Sequence, residues 1–219
     1  MTDGILLIDK PVAMTSFGVV ARIRRVLSQQ QGKKVKVGHT GTLDPFATGL
    51  MIIVVGKECK NAGMYSKLDK IYEATIQLGQ NSTTGDPEGE LTNISDHQPT
   101  QADIEQTLTQ FVGTIMQRPP IYSAIKVNGE RAYKLAREGR PVEVPERQVV
   151  VHSIELVTYA YPQLTIRAHV GSGTYIRTLS EDIGAALGTG AYCTQLRRTQ
   201  IDTWSITEAQ TLDAFGVTD

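Results

Sequence analysis

Leu50-Met51-Ile52-Ile53-Val54-Val55 is the longest unbroken apolar run in the chain. Six residues with no polar member on either alternate face predict a central strand covered on both sides. The run is far short of the roughly 20 apolar residues that a membrane-spanning helix needs. Tyr72, Ala74, Ile76 and Leu78 alternate with other residues, which is the pattern of a half-buried strand. Gly4–Asp9, Val35–Val37, Val149–Val157, Leu164–Val170 and Tyr192–Ile201 read as further strands. Thr15 or Ser16 caps a helix running to about Leu27, with Phe17, Val20, Ile23 and Leu27 on one face. Thr100 and Asp103 open a second helix through Phe111, with Gly113 as its cap. Thr174 or Tyr175 opens a third, through Leu187 with Gly188 at its end, and Thr207–Phe215 reads as a closing helix. Asn128-Gly129 is the strongest hairpin-turn signal, followed by a short basic helix over Glu130–Glu138 ending at Gly139. Residues 79–100 are loop-like. The order is not a regular βαβ alternation, so the expected class is α+β with a mixed sheet.

Composition narrows the function. Of 219 residues 40% are apolar, and 22 basic side chains face 23 acidic ones, so disorder is disfavoured. Met1-Thr2-Asp3-Gly4 lacks the basic opening of a signal peptide, and Cys59 and Cys193 give no disulfide framework, which points to the cytoplasm. The near-neutral total hides segregation: residues 1–60 carry a net charge of +5, 61–116 of −6, 117–147 of +3 and 148–219 of −3. Basic blocks permit a phosphate-bearing partner without demonstrating one.

Four segments exceed what a scaffold needs. Gly38-His39-Thr40-Gly41-Thr42-Leu43-Asp44-Pro45-Phe46-Ala47-Thr48-Gly49 is a glycine-punctuated loop whose strong chemical groups are His39 and Asp44. It lacks the Lys-Ser/Thr of a phosphate-binding loop, and His-x4-Asp is not a metal spacing. By itself, Asp-Pro in such a loop reads as an ordinary turn. Asp69-Lys70-Ile71-Tyr72-Glu73-Ala74 places a tyrosine in a strand, where packing is its usual task. Gly173-Thr174-Tyr175-Ile176-Arg177-Thr178-Leu179 lies at a loop-to-helix junction. An arginine in a first helical turn opposes the helix dipole, so Arg177 calls for a specific acidic partner. Asp9-Lys10-Pro11 with Thr15-Ser16 makes a strand-to-helix corner.

Taken in order, with Tyr122-Ser123-Ala124-x-Lys126 and Leu196-Arg197-Arg198, these strings resemble the TruB family of tRNA pseudouridine synthases over Gly4 to about Leu212. The resemblance implies one catalytic domain over 1–219 with the pseudouridine-synthase fold: a largely antiparallel mixed sheet, flanking helices and a central active-site cleft. It implies isomerisation of the T-loop uridine, position 55, of tRNA to pseudouridine, with no cofactor and no metal. By the same resemblance Asp44 is the catalytic aspartate, Tyr72 stacks on the target base and Arg177 pairs with the aspartate. Lys10, Tyr175 and Leu196 match further active-site positions, within a substrate-binding set that also takes in Thr40 and Gly41. His39 matches the histidine that fills the gap left by the extruded base.

The chemistry suits those residues. The uracil leaves the sugar through nitrogen and returns through carbon, so no water is consumed and a single carboxylate suffices where a glycosidase needs two. The base must first be flipped out of its stack. An opposite charge beside Asp44 would keep it ionised. The basic block 117–147 matches the family's RNA-gripping insertion, making Lys126, Arg131, Lys134, Arg137 and Arg140 candidate phosphate contacts. The expected partner is a tRNA T-stem-loop, bound by a monomer without membrane or guide RNA. A C-terminal PUA domain, common in the family, is not expected, as the chain stops at Asp219. Ala13 stands where the family commonly has glycine, which implies a corner without positive φ, and Ser172 where lysine or proline often precedes Gly173. An RNA chaperone using the same pocket and a guide-dependent relative are the alternatives.

Overall fold

The computed structural model of the protein describes residues 3–123, 125–127 and 129–217. In chain order the first elements are β1 (Gly4–Lys10), α1 (Ser16–Gln31), β2 (Val37–His39), β3 (Thr48–Val55), a 3-10 turn at Gly56–Asn61, α2 (Ala62–Ser66) and β4 (Lys70–Leu78). Next come β5 (Gln80–Ser82), β6 (Leu91–Asn93), α3 (Gln101–Thr109), β7 (Gly113–Gln117), β8 (Lys126–Val127), β9 (Glu130–Arg131) and α4 (Ala132–Arg137). The last are β10 (Arg147–Ala160), β11 (Gln163–Val170), α5 (Ile176–Ala186), β12 (Ala191–Ile201), β13 (Trp204–Ser205) and a 3-10 turn at Ile206–Glu208. The chain forms two compact units, Met1–Tyr72 with Leu196–Asp219, and Glu73–Gln195. Helices and strands in irregular order, with antiparallel pairings prevailing over the parallel β3–β12 pair, make this an α+β protein. Among the described residues no helix is long and apolar enough to cross a membrane.

The first unit is organised around β3, as its apolar run predicts. Along one edge β1 pairs antiparallel, from Gly4↔Val55 to Lys10↔Gly49. At its other edge β2 pairs with the C-terminal half, and Arg197 and Arg198 of β12 pair with Thr48 and Gly49. Leu50, Ile52 and Val54 join Ile201 in a core closed by Ile5, Leu7, Tyr65 and Trp204. Met51, Ile53 and Val55, on the opposite face, are equally buried. Each such side chain contributes on the order of 1.5–3 kcal/mol.

Helix α1 departs from the sequence reading at both ends. Thr15 caps it by accepting from the Gly18 N–H. The inward stripe is Ser16, Val19, Val20, Ile23 and Leu27. Phe17 is 64% exposed, with the Arg24 guanidinium 6.0 Å from its ring, because Ser16 takes the inward place through its hydrogen bonds. The helix runs on through Gln29–Gln31, which are good helix formers, and stops where Gly32 adopts φ 63°. Strand β2 accordingly starts two residues late, at Val37. No closing helix forms over 207–215. A capping box between Ser205 and Glu208 supports a single turn, and Gln210 then pairs with β1, accepting from the Asp9 N–H and donating to the Leu7 carbonyl.

In the second unit the strands run β4-β11-β10-β7. Thr75 meets Thr165, and Glu73 meets Arg167 at 2.7 Å. Strand β7 escaped the sequence reading. Helix α3, opened by the Thr100–Asp103 capping box, already ends at Gln110, and Gly113, at φ 106°, starts β7 opposite Val151 of β10. The 79–100 segment carries the short β5–β6 hairpin but is otherwise loop. Strands β8 and β9 form the expected two-residue hairpin with Gly129 at φ 86°, while Asn128 of that turn lies outside the described residues.

Candidate active site

In the first unit Asp44 sits at the tip of the loop between β2 and β3, and nearly every neighbour in that loop is tethered. The Thr40 N–H and hydroxyl both donate to the Ile52 carbonyl. The Leu43 N–H donates to Ser16 Oγ at 2.8 Å, and the Ser16 hydroxyl donates back to the Leu43 carbonyl at 2.9 Å. The Ala47 N–H closes a turn onto the Asp44 carbonyl. The Pro45 carbonyl accepts from the Ala13 N–H at 2.8 Å and from Lys10 Nζ at 3.3 Å. A half-buried carboxylate is thereby carried on a stiff loop.

Lys10 lies beneath that loop with no exposed surface, its ammonium also donating to the carbonyls of Pro11 and Met14. Burial lowers its pKa to about 8, against the pull of the Asp44 carboxylate and with a push from Arg198. Arg198 is 1% exposed and donates to the carbonyls of Leu50 and Gly41. It explains Gly49: a Cβ there would stand 2.3 Å from the Arg198 carbonyl oxygen, and φ is 109°. Arg197 holds Asp9 through two nitrogens, at 2.7 and 3.1 Å. The corner does use positive φ, contrary to the sequence expectation: Ala13 stands at 60°, held there by its bond to Pro45. Tyr72, 8% exposed on β4, and Leu196, 7% exposed on β12, belong to the same unit. There Thr199 of β12 donates to the Ile71 carbonyl. His39 is half-buried on β2, opposite Ile53.

In the second unit Arg177 opens α5, 3% exposed. Its acidic partner there is Asp86, at 3.2 Å and itself nearly buried. The guanidinium also donates to the carbonyls of Thr84 and Tyr122. Asp86 is aimed by its own turn, accepting from the Thr84 hydroxyl and the Glu88 N–H. Tyr175 precedes the helix, its backbone N–H and carbonyl both engaged by the Gln117 amide. Arg147 covers the Tyr175 ring at 5.3 Å. Lys126 and Arg131 are exposed register partners in the β8–β9 hairpin. Close by, Lys134 and Arg140 are shared among Glu130 and Glu138 in exposed ion pairs.

Two family descriptions divide the chain: the TruB family pseudouridylate synthase N-terminal domain matches residues 24–176, and the tRNA pseudouridylate synthase B C-terminal domain matches 177–217. The chain belongs to the TruB family. It is 46% identical over 97% of its length to tRNA pseudouridine synthase B of Opitutus terrae, covering 87% of that protein. To tRNA pseudouridine synthase B of Burkholderia mallei it is 44% identical over 97% of its length, covering 69% of that protein. Among solved structures it resembles a Cbf5-Nop10-Gar1 complex with a TM-score of 0.73 and 29% identity, over 96% of this chain and 52% of that one.

Read within the TruB family, the geometry adds residues that the motifs did not single out. Asp86 lies in the 79–100 stretch that reads as loop; the arginine opposing the helix dipole is the sequence signal for an acid beside it. Ser16 reads in sequence as a helix cap, yet it brackets the Asp44 loop. Arg198 closes the Leu196-Arg197-Arg198 string, and it donates to the carbonyls of Leu50 and Gly41.

Proposed function

We propose that this TruB-family chain isomerises uridine 55 in the T-loop of tRNA to pseudouridine. Asp44 serves as the catalytic carboxylate, Tyr72 lies against the extruded uracil and Arg177 is the third catalytic member. The observation that carries this reading is the 46% identity over 97% of the chain to a tRNA pseudouridine synthase B. Support for Asp44 comes from its loop, tethered on both sides by Ser16, Ala13 and Lys10. A carboxylate that must meet an anomeric carbon or a uracil ring gains from being held in one place before the substrate arrives. His39, Thr40, Gly41, Lys10, Tyr175 and Leu196 complete the substrate-binding set, and His39 would fill the stack that the flipped base vacates.

Lys126 and Arg131 are proposed phosphate contacts, so tRNA affinity should fall with rising salt and their neutralisation should flatten that slope. The proposed partner is the T-stem-loop of free tRNA, bound by a monomer in the cytoplasm. One solved structure with a similar fold is described as an H/ACA RNP bound to a substrate RNA containing 2'-deoxyuridine, at 26% identity. Guide dependence is therefore the competing reading.

Incubation of the pure chain with unmodified tRNA, followed by chemical mapping of carbon-linked uridine, separates these. Modification at position 55 without any guide supports the proposal, and none would overturn it. Asp44→Asn should abolish isomerisation while leaving tRNA binding within about threefold, since it removes the reacting group and not the phosphate contacts.

A further inference from the structure

Helix α5 presents a second side chain to the turn that carries Asp86. Glu181 lies four residues after Arg177, so the two side chains share a face one helical turn apart. The Gly85 peptide sits in the notch between them. A Cβ on Gly85 would be 2.9 Å from Glu181 Oε1, 3.1 Å from its Cδ and 3.4 Å from Arg177 Cβ. Gly85 has φ 71°, and its carbonyl accepts from the Cys193 N–H at 3.0 Å. The turn is thus gripped on three sides: by Arg177 through the Thr84 carbonyl and Asp86, by Cys193 through the Gly85 carbonyl, and by the Glu181 carboxyl against the Gly85 backbone. Glu181 also lines a cavity of about 490 Å³ with Asn81, Ser82, Ile94, Asp182 and Gly190.

We propose that Glu181 is a positioning residue for the isomerisation, backing the Gly85 peptide so that the Thr84 carbonyl and Asp86 stay seated on Arg177. The proposal rests on the reading of Arg177 as a catalytic residue. The groups that act on Glu181 are Arg177 and Asp182 on its own helix and Asp86 on the facing turn. Burial raises its pKa to about 7; Arg177 opposes that rise while Asp182 and Asp86 add to it. In its neutral form the carboxyl can lie beside the Asp86 turn without repelling it. Once ionised it competes with Asp86 for the guanidinium and loosens the turn.

The test measures single-turnover isomerisation and tRNA affinity from pH 6 to 8.5 for wild type, Glu181→Gln, Glu181→Ala and Asp44→Asn. The expected result is a rate loss of about tenfold or more in Glu181→Ala at unchanged affinity, because a displaced positioning group acts on the reacting geometry. Glu181→Gln, an uncharged isostere, should recover most of that rate and hold it above pH 7, where the wild-type rate declines. A Glu181→Ala enzyme with wild-type rate, or one whose rate falls only in proportion to its affinity, overturns the proposal. If Glu181→Ala does not fold, the pH profile decides: a Glu181→Gln profile identical to wild type overturns the proposal, and a flattened one supports it. Failure of the underlying reading looks different, since Arg177→Lys, measured alongside, would then isomerise tRNA as fast as wild type.

Discussion

The Lys10 and Arg177 corners both bury a cation, and they satisfy it by different means. Lys10 donates to carbonyls, of Pro11, Met14 and Pro45, and burial pulls its pKa down to about 8 although the Asp44 carboxylate opposes the fall. Arg177 has two carbonyls as well, from Thr84 and Tyr122, but adds the carboxylate of Asp86 at 3.2 Å. An amine can shed its proton when desolvation becomes severe, whereas a guanidinium cannot; the buried Arg177 meets its fixed charge with a carboxylate, while the buried Arg198 donates to the carbonyls of Leu50 and Gly41. The lysine corner stiffens a loop; the arginine corner holds a fixed charge in place.

Removing the Asp86 carboxylate should have the largest effect. Asp86→Ala removes one member of the buried Asp86–Arg177 ion pair and should destabilise the protein by about 3–5 kcal/mol in denaturant unfolding. Combining Asp86→Leu with Arg177→Met should restore more than half of that stability while isomerisation stays lost. If the double variant is no more stable than Asp86→Ala, the contrast between the corners is wrong.

Lys10→Met deprives three carbonyls of a donor and should cost about 2 kcal/mol. The pH dependence sharpens it. Lys10 has a folded pKa near 8 against an ordinary 10.5, so between those values the unfolded chain binds more protons and wild-type stability rises with pH. The gap between wild type and Lys10→Met should therefore widen from pH 8 to pH 10, read as thermal midpoints.

Glu181, beside the arginine corner, has the opposite sign. Its pKa is raised from 4.5 to about 7, so the native state holds the extra proton in that window and stability falls as pH rises through it. Relative to wild type, Glu181→Gln should gain about 1 kcal/mol between pH 5 and pH 8, a figure discounted for the partly exposed carboxyl. The smallest effect belongs to Ala13→Gly. Relief of φ 60° should add about 0.5–1 kcal/mol, net of glycine's greater unfolded freedom.

Local pattern carried much of the fold. The Leu50–Val55 run is β3 and the Tyr72–Leu78 alternation is β4, because both signals come from side-chain periodicity over a few residues. Errors gathered where a distant partner decided the outcome. Phe17 lost the inward position to Ser16 because Leu43, 27 residues away, offered hydrogen bonds. The Thr207–Phe215 pattern failed as a helix because β1 had an edge open at Leu7 and Asp9. Ala13 took a left-handed φ that its side chain disfavours because the Pro45 carbonyl was there to hold it.

The candidate site divides along the same line. Residue types and their order placed Asp44, Tyr72, Lys10 and Arg177 in a family, since a motif is a local string and survives without coordinates. The need for an acid near Arg177 was also legible, from the helix dipole alone. Which acid the second unit supplies was not, because Asp86 lies 91 residues away and meets Arg177 from the Ser82–Gly85 turn, which no local pattern ties to α5. Strand and helix periodicity, motif order and the demand for compensation were determined by the sequence. That Asp86 joins Arg177 was decided by tertiary structure, because ion pairing depends on distance in space and not on distance along the chain.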